Sequence, residues 1–268
     1  MGIILIKEKN GVKVIKHKLS PELRSVELHT FADLHMGDRE CDWDLIKKRI
    51  QEVKEKDNAY CILNGDIINN ATKTSVSDCY AEELSPMEQI QMFTSLFEPI
   101  KDKILAVTSG NHENRAYKEG VDITELCTTQ LGIRHLYARE GTLIFLRFGK
   151  QDKHHCNDMC VYTIYVTHGS GGGRKEGGKA NRLADMASIV DADIYIHSHT
   201  HLPMVMKEGF YRVDTRSSTV APVDKLFVNT SSYLNYGGYG QLFGFKPNSK
   251  DTPVIYLNGT KKEYMARL

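Results

Sequence analysis

Five short clusters of carboxylate, imidazole and amide side chains stand out in the 268-residue chain. They are Asp33-x-His35, Gly65-Asp66, Gly110-Asn111-His112-Glu113, His168-Gly169 and His199-x-His201. Hard oxygens combined with borderline imidazoles suit Mn²⁺, Fe and Zn²⁺, and Mg²⁺ less well. No cysteine is among them, which argues against a structural zinc finger. Taken singly, an Asp-x-His or Gly-Asp pair is commonplace, and solvated loops or core histidines account for it. Five in order, each directly after a run that reads as a β-strand, point instead to metal chemistry. In an extended segment residues i and i+2 face the same way. Asp33 and His35 are therefore expected to converge on one ion, and His199 and His201 on a metal pair. Gly65 and Gly110 are expected to let the backbone turn sharply at strand ends.

The strands that deliver these clusters are predicted over residues 26–31, 60–63, 104–108, 161–167 and 194–196, with 143–148 paired to 161–167. Residues 1–18 read as an edge hairpin around Lys9-Asn10-Gly11. Helices are predicted over 44–56 (Leu45, Ile46, Ile50 and Val53 on one face), from Ser85-Pro86 to about Phe97, and over 122–131 and 178–190. Residues 204–257 read as short β-prone runs broken by Gly, Pro and Asn. The order predicts a layered α/β sandwich in a single domain spanning 1–268, with a β-rich C-terminal segment over 203–268. Every polar cluster follows a strand, where open α/β sheets bind ligands.

A hydrophobic content of 41%, a charged content of 26% and a net charge of +1 are those of a soluble globular protein. They exclude global steering toward nucleic acid or membranes, though not a local basic patch. No run approaches the roughly 18 apolar residues of a membrane span. The N-terminal apolar run lacks a preceding basic region, so it does not read as a signal peptide. Ile6 stands where a myristoylation signal wants Ser or Thr. Six cysteines without framework spacing imply reduced thiols and a cytoplasmic setting.

On the blocks Asp33-Leu34-His35, Gly65-Asp66, Gly110-Asn111-His112-Glu113, His168-Gly169 and His199-Thr200-His201, the chain resembles the calcineurin-like metallophosphoesterases over roughly residues 26–202. The resemblance implies a four-layer α-β-β-α sandwich with two metals at the sheet edge. It implies that Asp33, His35, Asp66 and His201 hold one ion, and that Asp66, Asn111, His168 and His199 hold the other, Asp66 bridging. His112 would sit beside the ions as a catalytic group. The implied reaction is phosphate-ester hydrolysis by a hydroxide held between two ions about 3.5–4 Å apart. In that reaction the ions would stabilise charge building on phosphorus, and the leaving oxygen would need a proton or a positive neighbour, with His112 the expected donor. Two divalent ions are expected as cofactors, with Mn²⁺ favoured over Fe, Zn²⁺ and Mg²⁺.

Two blocks depart from the family pattern. Ser198 stands where Gly-His-x-His has glycine, and His197 adds a third histidine. Motif match favours His199 and His201 as ligands, with His197 capping or packing the strand. Protein phosphatases of the family look like Gly-Asp-x-x-Asp-Arg-Gly, whereas this chain has Asn69-Asn70. Asn69 cannot balance a charged imidazole, which argues against protein phosphatase activity. Asp33-Leu34-His35-Met36-Gly37 looks more like the repair-exonuclease and small phosphodiesterase branches. A phosphodiester is therefore the favoured substrate, as nucleic acid or nucleotide. The alternatives are a metal-dependent phosphomonoesterase or protein phosphatase, and a non-catalytic scaffold, which would be expected to have lost ligands.

Outside the motifs, Gly171–Lys179 is glycine-rich and basic, and Arg174 and Lys179 are candidates to grip phosphate, as is Arg115; a solvated surface role is the alternative. The segment His154-His155-Cys156-x-x-x-Cys160 reads as a polar hairpin tip more readily than as a zinc site. Tyr233, Tyr236, Tyr239, Phe243 and Phe245 could stack on bases, although core packing or an oligomer interface is the commoner explanation. The C-terminal segment either covers the site or pairs with another copy in a homo-oligomer.

Overall fold

Strand β4 (Ala59–Asn64) is buried at all six positions, the pattern of a strand covered on both faces. It lies between β3 (Ser25–Phe31) and β5 (Ile104–Thr108), and all three run parallel. The computed structural model describes residues 2–9, 11–73, 75, 78–149 and 160–268. Side chains of 2–9 and of Tyr239 fall outside that description, as does the segment 154–159 of the zinc candidate. Two sheets make the centre of the fold. Five strands follow the order β12-β11-β3-β4-β5, with β11 (Val254–Asn258) and β12 (Tyr264–Arg267) returning from the C-terminus. Seven follow the order β1-β2-β6-β7-β8-β10-β9.

In that larger sheet β1 (Gly2–Lys9) and β2 (Val12–Lys18) form the expected edge hairpin, with Lys9 opposite Val12. β6 (Thr142–Arg147) pairs antiparallel with β7 (Val161–Val166), and β8 (Ile194–His197) runs parallel to β7. β6 and β7 alternate buried and half-buried positions, so one face of each meets the space between the sheets. Burying each Ile, Leu or Val there is worth roughly 1.5–3 kcal/mol.

Helices cover both outer faces, completing four layers. α1 (Trp43–Glu55) turns Ile46, Ile50 and Val53 inward, and the Asp42 carboxylate caps it by accepting the Leu45 N–H. α2 (Pro86–Phe97) starts with a capping box between Ser85 and Glu88. The short α3 (Asn114–Tyr117) is followed by α4 (Ile123–Gln130), capped by Asp122. α5 (Glu176–Asp185) lies on the far side, where Leu183 and Met186 join Tyr195 and Phe227 in a smaller core. The helix expected to reach residue 190 stops at Asp185 and tightens into a 3₁₀ turn, Met186–Ser188.

The C-terminal expectation needs the largest correction. Two 11-residue strands, β9 (Met204–Asp214) and β10 (Thr219–Asn229), replace the short runs. Gly209 and Pro222, which look like breaks in the sequence, lie inside them. Pro222 is tolerated because this end of the hairpin is exposed and needs no further partner. A short helix α6 (Gly238–Leu242) then interrupts the aromatic stretch. Of those aromatics Tyr233 alone enters the core, whereas Tyr236, Phe243 and Phe245 are exposed. Among the described residues no helix is long and apolar enough to cross a membrane.

Candidate metal centre

The five clusters follow β3, β4, β5, β7 and β8, which makes the site a seam between the two sheets. Five expected ligands bend the chain there. Asp33, His35, Asp66, His199 and His201 have φ of 53°, 49°, 49°, 65° and 53°, and only Asn70 and Ser218 join them as non-glycine residues with positive φ among the described residues. Each such residue costs on the order of 1 kcal/mol or more, and Asp and His tolerate the region better than most. The expected reason for convergence is therefore corrected. Asp33 and His35 share a direction through left-handed turns, not through the alternation of an extended strand, and the same holds for His199 and His201. Glycines make room for the turns: a Cβ on Gly65 would sit 2.6 Å from His168 Nδ1, and one on Gly110 would sit 2.1 Å from Asp66 Oδ1.

Donor atoms of Asp33, His35 and His201 lie within 4.8 Å of one another, as do those of Asp66, His168 and His199. His201 Nε2 is 3.0 Å from Asp33 Oδ1, and His35 Nε2 is 3.4 Å from His201 Nε2. On the other side His168 Nε2 is 3.3 Å from both Asp66 Oδ2 and Asn111 Oδ1. Asp66 also faces His35 and His112, whose donors form a third group with it. Two cationic ions fit this donor set. It gathers lone pairs that repel one another without a cation, and His35 Nδ1 is buried without a hydrogen-bond partner. His168 donates from Nδ1 to the Asn64 carbonyl oxygen at 2.7 Å, which turns Nε2 toward the cluster.

Charge at the seam is strongly coupled. Burial opposes the charge of His168, but the Asp66 and Asp33 carboxylates hold its pKa up to about 10. Burial likewise opposes ionisation of Asp66, yet His168 and His112 keep it well below the usual carboxylate range. His112 goes the other way. Burial lowers its pKa, Asp66 works against that shift, and Arg115 adds to it.

His112 is oriented by the backbone, not by a carboxylate. Its Nδ1 donates to the Asn69 carbonyl oxygen at 2.8 Å, while Arg115 Nη2 lies 3.1 Å from Nε2. The Asn69 amide turns away to Glu82 at 2.6 Å and Asp38 at 3.3 Å. His197 stays outside the donor groups: it is buried and hydrogen-bonded through Nδ1 to Asn229 Oδ1 at 2.8 Å.

Two supporting residues have no role in the sequence reading. Glu113 is buried and accepts four backbone N–H bonds, from Asp66 at 3.0 Å, Ile67 at 2.7 Å, Ile68 at 3.1 Å and Gly110 at 2.9 Å. It ties the Asp66 turn to the Asn111 turn. Burial and the neighbouring Asp66 push its pKa up to about 7 against those donors. Asn64 joins both sheets by accepting from Thr108 Oγ1 and donating to Thr167 O and Ser198 Oγ. The signal for Glu113 was its place closing the Gly-Asn-His-Glu block; nothing local marked Asn64.

Above the donors opens a cleft of about 410 Å³. Arg115 and Lys179 line it, and Lys179 donates to the Thr200 carbonyl at 2.7 Å. Arg174 is not in the lining; it donates to the Phe243 carbonyl at 2.9 Å with its guanidinium 5.3 Å from the centre of the Phe245 ring.

The family model described as calcineurin-like phosphoesterase matches residues 29–203. No curated protein matches the chain. Among solved structures, a conserved protein of Streptococcus pneumoniae described as a predicted phosphoesterase is 14% identical, with 91% of this chain and 99% of that one covered and a TM-score of 0.33. Vps29 of Entamoeba histolytica complexed with Zn²⁺ is 10% identical, with 91% and 97% covered and a TM-score of 0.37. GAP50 of Plasmodium, described as the anchor in the inner membrane complex, is 10% identical, with 87% and 81% covered and a TM-score of 0.43.

Proposed function

The chain belongs to the calcineurin-like phosphoesterase family, and from that premise we propose that it is a two-metal phosphoesterase that prefers phosphodiesters. The observation that carries the reading is the pair of donor groups flanking Asp66 at the floor of the cleft. Asp33, His35, Asp66 and His201 would hold one divalent ion, and Asp66, Asn111, His168 and His199 the other. When bound, the ions acidify a water and neutralise charge on the phosphoryl group. Mn²⁺ is the favoured metal for this mix of oxygen and imidazole donors.

The chain's own residues do the rest. With Nδ1 donating to the Asn69 carbonyl, His112 presents Nε2, which accepts from Arg115 at 3.1 Å and must exchange that bond for a proton before it can serve the leaving oxygen. Arg115 sets a permanent positive charge beside it. Diester preference is supported by the cleft, whose volume of about 410 Å³ leaves space for a group on each side of phosphorus. The missing Asp–His dyad supports the same preference over protein phosphatase chemistry.

The test compares bis-p-nitrophenyl phosphate with p-nitrophenyl phosphate, with Mn²⁺ and with chelator. The diester is expected to turn over faster, the chelator to abolish turnover, and His112→Ala to lower kcat by about 10²–10⁴-fold. Preference for the monoester, or full activity in His112→Ala, would count against the reading.

A further inference from the structure

Asn111 and Arg115 line the cleft above the donors, and both also line a second cavity of about 480 Å³. His168 is in the lining of that second cavity too. Two of the donors expected on one ion, Asn111 and His168, therefore border it, and Arg115 joins it to the cleft.

Helical spacing brings cations to this cavity. From Gly110 onward the chain winds helically: the Asn114 N–H donates to the Gly110 carbonyl at 3.1 Å, and α3 follows directly. Residues three and four apart share a helix face, so Asn111, Arg115 and Lys118 line up on one side. All three are in the lining. Arg139 enters from the segment beside β5, where its carbonyl accepts the Ser109 N–H at 3.2 Å. Arg115, Lys118 and Arg139 meet one carboxylate in the lining, that of Glu140. Three cations against one carboxylate leave two positive charges in excess in a concave space, which is a setting for an anion. A net charge of +1 for the whole chain conceals this local excess.

The Arg139 side chain is held by a ring. Its guanidinium carbon lies 3.6 Å from the centre of the Tyr117 ring. Stacking takes up one face of the guanidinium and leaves its in-plane N–H groups, the fork that matches phosphate oxygens. Its buried Nε has no hydrogen-bond partner among the described residues, so the protein itself does not satisfy this side chain. Lys118 is exposed, and its flexible stem lets the ammonium turn toward the same anion.

Resting on the phosphoesterase reading, we propose that Arg115, Lys118 and Arg139 form a second phosphate subsite beside the ions. The substrate that fits is a phosphodiester with a further phosphate one linkage away, as in a strand of nucleic acid. The floor takes the phosphate that is cleaved, and the three cations take its neighbour. A phosphoanhydride presents the same second anion, closer to the first.

The experiment is calorimetry on the Mn²⁺-loaded protein, with thymidine 3′,5′-bisphosphate compared with thymidine 5′-monophosphate in one Mn²⁺ buffer. The bisphosphate is expected to bind about tenfold more tightly, the gain from one charge-assisted contact. Raising the salt concentration should shrink that gain. Arg139→Gln and Lys118→Glu should each remove most of it, and the exposed position of Lys118 keeps the second variant clear of the core. No gain in wild type, or a gain that survives in both folded variants, overturns the subsite. Turnover of bis-p-nitrophenyl phosphate, which has one phosphate, would still support the phosphoesterase reading in that case. A gain lost in the variants of a protein that turns over no ester supports the subsite and overturns the hydrolase reading instead. Thymidine 5′-diphosphate separates the two sources: a smaller gain than that of the bisphosphate supports the strand, and a larger one overturns the strand in favour of an anhydride.

Discussion

The floor and the wall of the cleft are built on opposite principles. The floor consists of buried side chains at five strand ends, with Asp33, Asp66 and His168 each at most 3% exposed and bent chain on both sides of the sheet seam. The wall, residues 234–248 of the cleft lining, is an irregular segment with a five-residue helix, exposed rings and a few backbone anchors. Strained positions persist only where surrounding structure over-determines them, and the floor has that structure in Glu113, Asn64 and the two sheets. A wall of loops can change shape and composition without disturbing the floor, which is how one scaffold comes to serve different substrates.

The largest effect is expected at Asp66. It is the one residue common to both proposed ion sites, so Asp66→Asn should reduce Mn²⁺-dependent diester hydrolysis by more than the roughly hundredfold ceiling for supporting residues. Residual activity near wild type would show that the floor is not where the chemistry happens.

The scaffold under the floor has a pH signature of its own. His17 on β2 is fully buried, hydrogen-bonded through Nε2 to the Leu105 carbonyl of β5, and burial lowers its pKa to about 4. The unfolded chain takes up that proton near pH 6.5, the folded chain only near 4. Stability from this group is therefore whole above about pH 6.5 and is lost as pH falls toward 4, by about 3 kcal/mol. Urea unfolding of wild type and His17→Gln across pH 4–7 measures it. The variant should lose less stability over that window, and parallel curves would show that His17 is not the group responsible.

Glu113 tests whether the turns need their tie. Glu113→Gln replaces one carboxylate oxygen by a donor facing backbone N–H groups. A loss of about 10–100-fold in Mn²⁺ affinity or activity is expected, read by metal titration beside turnover. The smallest effect belongs to the wall's fastening. Arg174→Ala removes an exposed cation–π contact worth about 0.5–1 kcal/mol, so KM for bis-p-nitrophenyl phosphate should rise at most a few-fold with kcat and metal affinity unchanged. A kcat loss as large as that of Glu113→Gln would place Arg174 with the floor.

The same contrast explains what could be read before the fold was known. The floor was legible because its chemistry needs particular residue types at fixed places after strands, and Asp33, His35, Asp66, Asn111, His168, His199 and His201 are all brought to one seam. The geometry that brings them together was not legible: i, i+2 spacing suits an extended strand equally well, and only backbone angles reveal the left-handed turns. Asn64 acts through partners 44, 103 and 134 residues away, beyond any local pattern. In the C-terminal region Gly209 and Pro222 suggested breaks that tertiary pairing of β9 with β10 overrides, and the place of Tyr236 and Phe245 depends on contacts with residues near 40 and 174.

Two ion sites sharing Asp66 can be counted by calorimetric titration of metal-stripped protein with Mn²⁺. Wild type should take up two ions per chain, and Asp66→Asn at most one tightly held ion. A single ion or none in folded wild type, or two ions bound equally well by the variant, would contradict the sharing of Asp66.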